Sequence, residues 1–171
     1  SSDVCSSDLR TDGRRSMTLF RWSGGTWSAV DAPAPPSGAT ESALQSISCP
    51  SATSCRAVGS VEVAGKTRAM IVRWNGTDWK AMAVPQPSLA ASSALLDISC
   101  VAASNCTTVG LSCKTATTCG PQTGTGARRG LVMRWNGSSW AIVPSPAPTG
   151  AAGVEVSGIS CPTSTMCLAV G

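Results

Sequence analysis

The sequence predicts an all-β chain made of tandem four-stranded antiparallel units. Three blocks lead to this prediction: a pair of cysteines separated by five residues, an Arg-Trp block and a Pro-rich joint, which recur in the same order along the 171 residues. Blocks that recur in a fixed order are typical of repeat architectures, in which each repeat is one supersecondary unit. The repeat therefore carries more weight in the fold prediction than any single motif.

A cysteine pair opens each repeat, after Ile-Ser and before Val-Gly. The three pairs are Cys49 with Cys55, Cys100 with Cys106, and Cys161 with Cys167. Alternating apolar residues predict one strand from Ala43 to Cys49 and a second from Cys55 to Val61, joined by a five-residue polar turn. Opposed residues of antiparallel strands lie near the Cα separation of about 4.4 to 6.8 Å that a disulfide needs. Each pair is therefore predicted to be a disulfide across a hairpin.

The Arg-Trp block belongs to the second half of each unit. Residues 68–74 are nearly continuously apolar, as expected for a third strand that is buried on both faces. Asn75-Gly76 predicts a tight two-residue hairpin turn with both residues at positive φ. The fourth strand is predicted to run from Trp79 to Val84. It ends at Pro85-Gln86-Pro87, because proline cannot donate a backbone hydrogen bond to a neighbouring strand.

All six tryptophans and three arginines occupy matching positions around this second hairpin. They are Trp22, Trp27, Trp74, Trp79, Trp135 and Trp140, with Arg21, Arg73 and Arg134 directly before the first tryptophan of each pair. A tryptophan at the same place in every unit is typical of packing between units, and the alternative is a row of platforms on which sugar rings stack. Alternation places each arginine on the opposite face from the tryptophan that follows it, where it can pair with a neighbouring unit.

Four short strands in about fifty residues, repeated head to tail, indicate the blades of a β-propeller. The chain would then be an arc of about three blade-equivalents, open at both ends, since a closed ring needs about four to eight. A β-solenoid or a string of small β-domains is the alternative architecture. The predicted boundaries are 10–36 for the last two strands of one blade, 37–87 and 88–148 for two whole blades, and 149–171 for the first two strands of another.

One blade carries an insertion that the others lack. The repeat period rises from 51 to 61 residues, and the extra residues fall within 111–126, where Cys113 and Cys119 repeat the spacing of the other pairs. We predict a disulfide between these two cysteines that stabilises a protruding hairpin or loop. The sharper hypothesis is that this loop contacts a ligand, because long loops in compact folds commonly carry function.

Residues 1–9 are set apart from the repeats. Their sequence, SSDVCSSDL, back-translates without a mismatch into the end of a widely used short-read sequencing adapter. We interpret the segment as an artefactual scar and exclude it from the fold prediction. Eight cysteines remain once Cys5 is excluded, and an even number suits full disulfide pairing.

The order of the blocks resembles repeats of large secreted or cell-wall-associated proteins of actinobacteria. The resemblance rests on Ile-Ser-Cys-Pro-Ser-Ala-Thr-Ser-Cys at 47–55 and Arg-Trp-Asn-Gly-Thr at 73–77, and it covers 10–171. Such repeats are generally read as β-propellers distantly similar to kelch and Asp-box propellers. The resemblance implies an exported protein, extracellular or associated with the cell wall. The consecutive glycines and the tyrosine of kelch and the Ser-x-Asp-x-Gly core of the Asp box are missing, so no functional residue carries over.

The composition disfavours several chemistries. The chain has no His and no Tyr, which excludes Ser-His-Asp and Cys-His catalytic sets and the tyrosine nucleophile of sialidases from this segment. The spacing of the cysteine pairs, together with the lack of His, favours disulfides over a metal site. We therefore predict no catalytic residue, no metal and no cofactor in this chain.

Charge and hydropathy limit the partners that the sequence predicts. The net charge is +4, but the basic residues are spread over the repeats, which argues against a nucleic-acid-binding face. No stretch approaches the roughly 20 apolar residues of a membrane-spanning helix, so no membrane insertion is predicted. Two hypotheses of function remain. The first is a non-catalytic extracellular binding or adhesion scaffold for a cell-surface glycan or protein, and the alternative is the propeller portion of a secreted hydrolase whose catalytic residues lie outside this chain.

Overall fold

The computed structural model describes residues 7–9, 11–114, 128–145, 147–151 and 153–171, and within these ranges it contains strands and no helix. The all-β prediction is therefore confirmed. The strands are β1 (Ser7–Leu9), β2 (Arg15–Met17), β3 (Leu19–Ser23), β4 (Thr26–Val30), β5 (Ala39–Ser51), β6 (Ser54–Val63), β7 (Lys66–Trp74), β8 (Trp79–Ala81), β9 (Ser92–Ala102), β10 (Asn105–Cys113), β11 (Arg128–Trp135), β12 (Trp140–Val143), β13 (Gly158–Thr163) and β14 (Met166–Val170).

Two antiparallel sheets contain four strands each, in chain order: β5-β6-β7-β8 and β9-β10-β11-β12. These sheets match the predicted four-stranded unit. β13 and β14 form a two-stranded sheet that corresponds to the first half of a unit, and β3 and β4 form one that corresponds to the second half. β1 pairs with β2, so three residues of the segment interpreted as a scar take part in a strand ladder.

The bounds of the strands differ from the prediction where side-chain hydrogen bonds replace the backbone hydrogen bonds between strands. β5 begins at Ala39, earlier than Ala43, whereas β8 ends at Ala81, well before Val84. After Met82 N–H donates to the carbonyl of Ile71 at 2.9 Å, the chain leaves β7. The amide of Gln86 then takes the place of a backbone donor and bonds to the Ala69 carbonyl at 3.0 Å.

Each described cysteine pair closes a hairpin that is tighter than predicted. Disulfides join Cys49 to Cys55, Cys100 to Cys106 and Cys161 to Cys167. In the first of these hairpins, β5 continues to Ser51 and β6 begins at Ser54, so the turn has two residues and not five. A register shift lies within each of the three hairpins, and the paired Cα atoms are 4.0 Å apart, closer than the expected range.

The predicted two-residue turn at Asn75-Gly76 is wrong in its geometry. Among the described non-glycine residues only Ala64 has a positive φ, so Asn75 does not adopt the left-handed conformation. Its side-chain oxygen instead accepts hydrogen bonds from the amides of Thr77, at 2.8 Å, and Asp78, at 2.9 Å. This Asx-type bonding holds a four-residue loop between the paired Trp74 and Trp79.

The repeated Val-Gly has a steric cause that the sequence did not reveal. A Cβ added at Gly59 would collide with the carbonyl oxygen of Ala43, and one added at Gly110 would collide with that of Ala94. A bulge in the first strand of each unit, next to the glycine, brings the two backbones together. Only glycine fits at this crossing.

The two four-stranded sheets pack face to face around one hydrophobic core. Val58 and Ile71 of the first sheet share this core with Leu95, Ile98 and Met133 of the second. The first strands also follow one another, since β5 contacts β9 and β9 contacts β13. The sheets are therefore not separate domains along a string.

Candidate functional site

The tryptophan pairs lie on the face that each unit presents to the preceding unit. Trp74 and Trp79 are opposed across β7 and β8, and Trp135 and Trp140 across β11 and β12. Trp135 and Trp140 are 9% and 6% exposed, because they enter the core shared with the preceding sheet. Trp135 and Trp140, which are buried between the sheets, are therefore not available as sugar-stacking platforms.

Arginine side chains reach from one unit to the disulfide hairpin of the next. Arg56 Nη2 donates to the carbonyl of Ala103 at 2.7 Å, and Arg134 Nη2 donates to the carbonyl of Ser164 at 2.8 Å. Ala103 and Ser164 each follow the first cysteine of their pair by three residues. Arg134 is one of the three repeated arginines, whereas Arg56 belongs to the adjacent strand and was not singled out from sequence.

Arg56 is the more buried of these two arginines. Its guanidinium carbon lies 5.0 Å from the centre of the Trp135 ring. Desolvation, and secondarily the charge of Arg73, lower the pKa of Arg56 below its usual value, although a guanidinium stays protonated at neutral pH. The Nε of Arg56 and the indole nitrogen of Trp135 are buried and lack hydrogen-bond partners among the described residues.

Asp97 connects three successive units at the seam of first strands. One carboxylate oxygen accepts from the hydroxyl of Ser46 at 2.6 Å and from the amide of Ile98 at 2.8 Å. The other oxygen accepts from the amide of Ile159 at 2.7 Å. Ser46 lies in the preceding unit and Ile159 in the following one, so this carboxylate is a structural junction that sequence patterns did not indicate.

A second hydrogen bond recurs along this seam. The hydroxyl of Ser48 accepts from the amide of Cys100 at 3.0 Å, and the hydroxyl of Ser99 accepts from the amide of Cys161 at 3.0 Å. The serine of each of the first two Ile-Ser-Cys blocks therefore joins its unit to the next, which gives the repeated serine a structural role.

Successive units are alike at one end of their strands and differ at the other end. The disulfide end, which holds the cysteine hairpins and the Asn-Gly loops, repeats its packing: Gly76 lies against Thr53, and Gly137 lies against Ser104. The opposite end, which we call the insertion end, holds the joints between units and the turn that connects the second and third strands. That turn is Ala64-Gly65 in one unit, but 14 residues, 114–127, separate β10 from β11 in the next.

The boundary of the insertion is displaced from its predicted position. β10 continues through Leu111, Ser112 and Cys113, which pair with β11, so the connecting segment begins at Lys114. Cys113 is disulfide-bonded. Cys119, its predicted partner, lies outside the described residues, and that pairing stays a prediction.

A groove of about 410 Å³, which we call the joint groove, opens beside the start of this segment. Its lining includes Gln86, Pro87, Leu89, Lys114, Arg129 and Ile142. Leu89 is 73% exposed and Ile142 is 41% exposed, while Lys114 and Arg129 are also exposed. The groove thus combines two cationic side chains with an accessible apolar surface, and its lining contains no aromatic ring.

One wall of the joint groove is held by a buried polar network. Gln86 Oε1 accepts from the hydroxyl of Ser93 at 2.7 Å, and this hydroxyl accepts from the amide of Ala69 at 3.0 Å. Gln86 Nε2 donates back to the Ala69 carbonyl. The Pro-Gln-Pro joint is therefore fixed to the sheets on both sides of it.

Basic residues that are distant in sequence lie at the insertion end of successive units. Lys66 and Arg68 line a second groove of about 600 Å³ beside the Ala64-Gly65 turn. Arg128 of the next unit is ion-paired with Glu155 at 2.8 Å. Lys114 and Arg129 are both exposed, whereas of Lys66 and Arg68 only Lys66 is, so the joint groove has more accessible positive charge than the second groove.

The carboxylates of the described chain do not assemble a metal centre. No three His, Cys, Asp or Glu residues within the described ranges lie close enough to hold an ion. Glu41 and Glu62 are directly opposed across β5 and β6, and Glu62 Oε1 accepts from the hydroxyl of Thr40 at 3.1 Å. Asp78 is ion-paired with Lys80 at 3.0 Å, and that hydrogen-bonded contact lowers the pKa of Asp78.

Among the residues that the structure describes, no helix is both long and apolar enough to span a bilayer.

Comparisons with known proteins do not assign this arrangement to a family. No family model, curated protein or solved structure matches the chain.

Proposed function

We propose that the chain is an arc of a β-propeller that acts as a non-catalytic, extracellular binding or adhesion scaffold, with its ligand at the insertion end. The propeller architecture is supported by two four-stranded sheets in chain order that share a core, and by first strands that follow one another along one seam. Blades of a propeller are stacked in this manner around a central channel.

An extracellular location is supported by the disulfides. Three disulfides lie within the described residues, and Cys113 is also disulfide-bonded. Structural disulfides persist in oxidising compartments and are rare in the reducing cytosol. A surface scaffold in such a compartment is the simplest role for a chain whose repeated cysteines, serines and glycines have structural contacts.

The contrast between repeated and unrepeated features supports a ligand at the insertion end. The cysteines, serines, glycines and tryptophans that recur take part in pairing, packing or crossing of strands within and between units. The segment 114–127 replaces a two-residue turn and has no counterpart in the neighbouring unit. This difference in length is the single observation that carries the proposal, because long loops on a rigid scaffold commonly bind ligands.

The chemistry of the joint groove favours an acidic protein segment with an apolar side chain. Lys114 and Arg129 supply positive charge, and Leu89 and Ile142 supply exposed apolar surface. Sugar rings commonly stack on aromatic side chains, and this groove has none. We therefore favour an acidic segment of a cell-surface protein over a glycan.

A charge-reversal experiment tests this proposal on the oxidised chain. The probes are an array of Asp/Glu-rich peptides with a central Leu or Phe and, beside it, a glycan array. We expect the double variant Lys114→Glu/Arg129→Glu to bind the peptides at least about tenfold more weakly, since two charge-assisted contacts become repulsive. The matched control is Lys66→Glu/Arg68→Glu, which reverses charge at the equivalent turn of the unit without the insertion and should bind as the wild type does.

Three results would contradict the proposed function. Equal loss of binding in both double variants would show that net charge, and not the joint groove, determines affinity. Binding to glycans alone would replace the peptide ligand by a sugar. Hydrolysis of an array component by the wild-type chain would contradict a non-catalytic role.

A further inference from the structure

The residue that follows the second cysteine of one unit contacts the second cysteine of the next unit. Arg56 Nη1 donates to Cys106 Sγ at 3.4 Å, and Thr107 Oγ1 lies 3.7 Å from Cys167 Sγ. The contact therefore recurs, but its chemistry differs, because a cation faces one sulfur and a neutral hydroxyl faces the other. Arg56 and Cys106 belong to the two complete four-stranded sheets, so this contact is made inside a complete interface.

The Arg56 guanidinium is a buried cation without a counter-ion. Arg56 is 5% exposed, and it forms no ion pair with a carboxylate among the described residues. Its bond to the Ala103 carbonyl and the Trp135 ring at 5.0 Å hold the group in place. Desolvation lowers the pKa of Arg56, which means that its contacts do not fully compensate the burial of its charge. A negative charge on Cys106 Sγ would provide the missing partner.

We propose that the Cys100–Cys106 disulfide is a site of thiol–disulfide exchange with a low-molecular-weight thiol, in which Arg56 stabilises the thiolate of Cys106. A thiolate beside an arginine forms at a lower pH than an ordinary thiolate does. A thiol of lower pKa is also the better leaving group in the exchange. The guanidinium therefore favours both the cleavage of this disulfide and its reduced product.

The exposure of the two cysteines sets the direction of attack. Cys106 is fully buried, whereas Cys100 is partly exposed. The turn of their hairpin, at Ala103 and Ser104, is exposed. An incoming thiolate bonds to one sulfur of a disulfide and expels the other. Attack at Cys100 therefore leaves the electron pair on Cys106, next to the cation.

The exchange takes place in two balanced steps. The thiolate of the small thiol forms a bond to Cys100 Sγ, the S–S bond breaks, and its electron pair remains on Cys106 Sγ. A second thiolate attacks the sulfur of the small thiol in this mixed disulfide, and it releases the Cys100 thiolate together with the symmetrical disulfide of the small thiol. Two small thiols are thus oxidised, and the protein disulfide accepts their two electrons. Of the two protons that the small thiols lose, Cys100 takes up one and solvent receives the other.

Equilibration of the oxidised 171-residue chain with dithiothreitol buffers tests the proposal at about pH 8, below the pKa of an ordinary thiol. Acid quenching, alkylation in denaturant and mass mapping give the reduced fraction of each disulfide. We expect Arg56→Met to lower the equilibrium constant for reduction of Cys100–Cys106 at least about tenfold, because the thiolate loses its cation. The constant for Cys161–Cys167, which faces the neutral Thr107, should not change and is the internal reference.

A purely structural role of Arg56 predicts a change of the opposite sign. Loss of its bond to the Ala103 carbonyl would loosen the hairpin, lower the effective concentration of one thiol at the other, and make the disulfide easier to reduce. Arg56→Lys keeps the charge and should stay within about threefold of the wild type. Arg73→Met is the matched control and should also stay within about threefold, since Arg73 is opposite Arg56 across β6 and β7 but is exposed.

Reduced glutathione, as a monothiol probe, tests the direction of attack. Mass mapping after a short exposure should find glutathione on Cys100, and glutathione on Cys106 would overturn the proposed direction. An equilibrium constant in Arg56→Met that equals or exceeds that of the wild type would overturn the role of Arg56. Reduction of all the disulfides at one dithiothreitol concentration would overturn the exchange site, because exchange would then follow global unfolding.

This site is independent of the proposed function. The Cys100–Cys106 hairpin lies at the disulfide end, whereas the joint groove lies at the insertion end. Arg56→Met should therefore bind the acidic peptides as the wild type does, and Lys114→Glu/Arg129→Glu should leave the reduction of Cys100–Cys106 unchanged. Either proposal can fail without the other.

Discussion

The first and last tryptophan pairs compare an open edge with a complete interface. The ring centres of Trp22 and Trp27 are 5.6 Å apart, as are those of Trp135 and Trp140, and both pairs are tilted. Trp22 and Trp27 are nevertheless 55% and 64% exposed, against 9% and 6% for the other pair. The rings therefore pair within their own hairpin, while burial depends on the preceding unit.

Isoleucines of the first strands show the same contrast. Ile98 is 4% exposed and shares a core with Val58 of the preceding sheet, whereas the corresponding Ile47 is 49% exposed. Identical residues at equivalent positions thus contribute to a core only where the neighbouring unit is complete. Stability in such an array resides in the interfaces between units as well as within each sheet.

Truncation of one tryptophan in each pair should give the largest difference in the free energy of unfolding between the open edge and the complete interface. We expect Trp140→Ala to lower the free energy of unfolding by about 3 to 5 kcal/mol, because it removes a buried aromatic ring and leaves a cavity. Trp27→Ala should lower it by less than about 1 kcal/mol, because most of that ring is in contact with water. Guanidinium unfolding monitored by circular dichroism measures both changes.

Both variants are compared with the wild type at one protein concentration, so that any association contributes equally to the measurements. Equal destabilisation by the two substitutions would contradict the dependence of burial on the preceding unit.

Loss of the Asp97 carboxylate should have an intermediate effect on the seam of first strands. Asp97→Ala leaves the amides of Ile98 and Ile159 and the hydroxyl of Ser46 without their acceptor. We expect a decrease of about 3 kcal/mol in the free energy of unfolding, since hydrogen bonds to charged groups contribute about 1.5 to 3 kcal/mol each and water replaces part of the loss. Thermal unfolding followed by circular dichroism gives the value.

Ser46→Ala is the matched control for Asp97. It removes one donor and leaves both amide contacts of the carboxylate intact, so a decrease of about 1 kcal/mol is expected. If Ser46→Ala were as destabilising as Asp97→Ala, the contact between the first two units alone would account for the effect, and the junction of three units would be wrong.

Strand identity and pairing could be predicted from sequence because the signals are local and repeated. The alternation around Cys49 and Cys55 and the apolar run before Trp74 identify strands whose partners lie nearby in the chain. Turn geometry could not be predicted as well. The dipeptide at Asn75 is compatible with a two-residue turn, but the asparagine side chain bonds the amides of Thr77 and Asp78 and favours a longer loop.

Contacts between units could not be predicted from local sequence patterns. Asp97 and its partner Ile159 are 62 residues apart, and nothing in either neighbourhood marks them as a pair. The same holds for the joint groove, because Leu89 of the joint and Arg129 of β11 line one groove only in the folded chain. The inserted segment itself could be recognised, since its length breaks the period, but the residues beside it that face solvent depend on tertiary structure.

Replacement of Arg56 should give the smallest change in stability, with a specific structural response. Trp74 Nε1 donates to the carbonyl of Ala52 at 3.1 Å, but the corresponding carbonyl, that of Ala103, accepts from Arg56, and the indole of Trp135 is buried without a partner. Arg56→Met keeps an apolar side chain over Trp135 and removes a partly buried charge. The freed carbonyl can then accept from the Trp135 indole, so the free energy of unfolding should change by no more than about 1 kcal/mol.

Nitrogen-15 NMR of the indole groups tests this exchange of donors. We expect the Trp135 indole signal to shift downfield in Arg56→Met and its hydrogen exchange to slow, because the N–H gains an acceptor. Arg134→Met is the control, since the carbonyl that Arg134 binds, that of Ser164, lies in a half-unit without tryptophan, and no indole signal should respond. An unchanged Trp135 signal, together with a decrease of more than about 3 kcal/mol in the free energy of unfolding of Arg56→Met, would contradict competition between Arg56 and Trp135 for the Ala103 carbonyl. The Arg56 guanidinium itself would then be the essential contact between the two sheets.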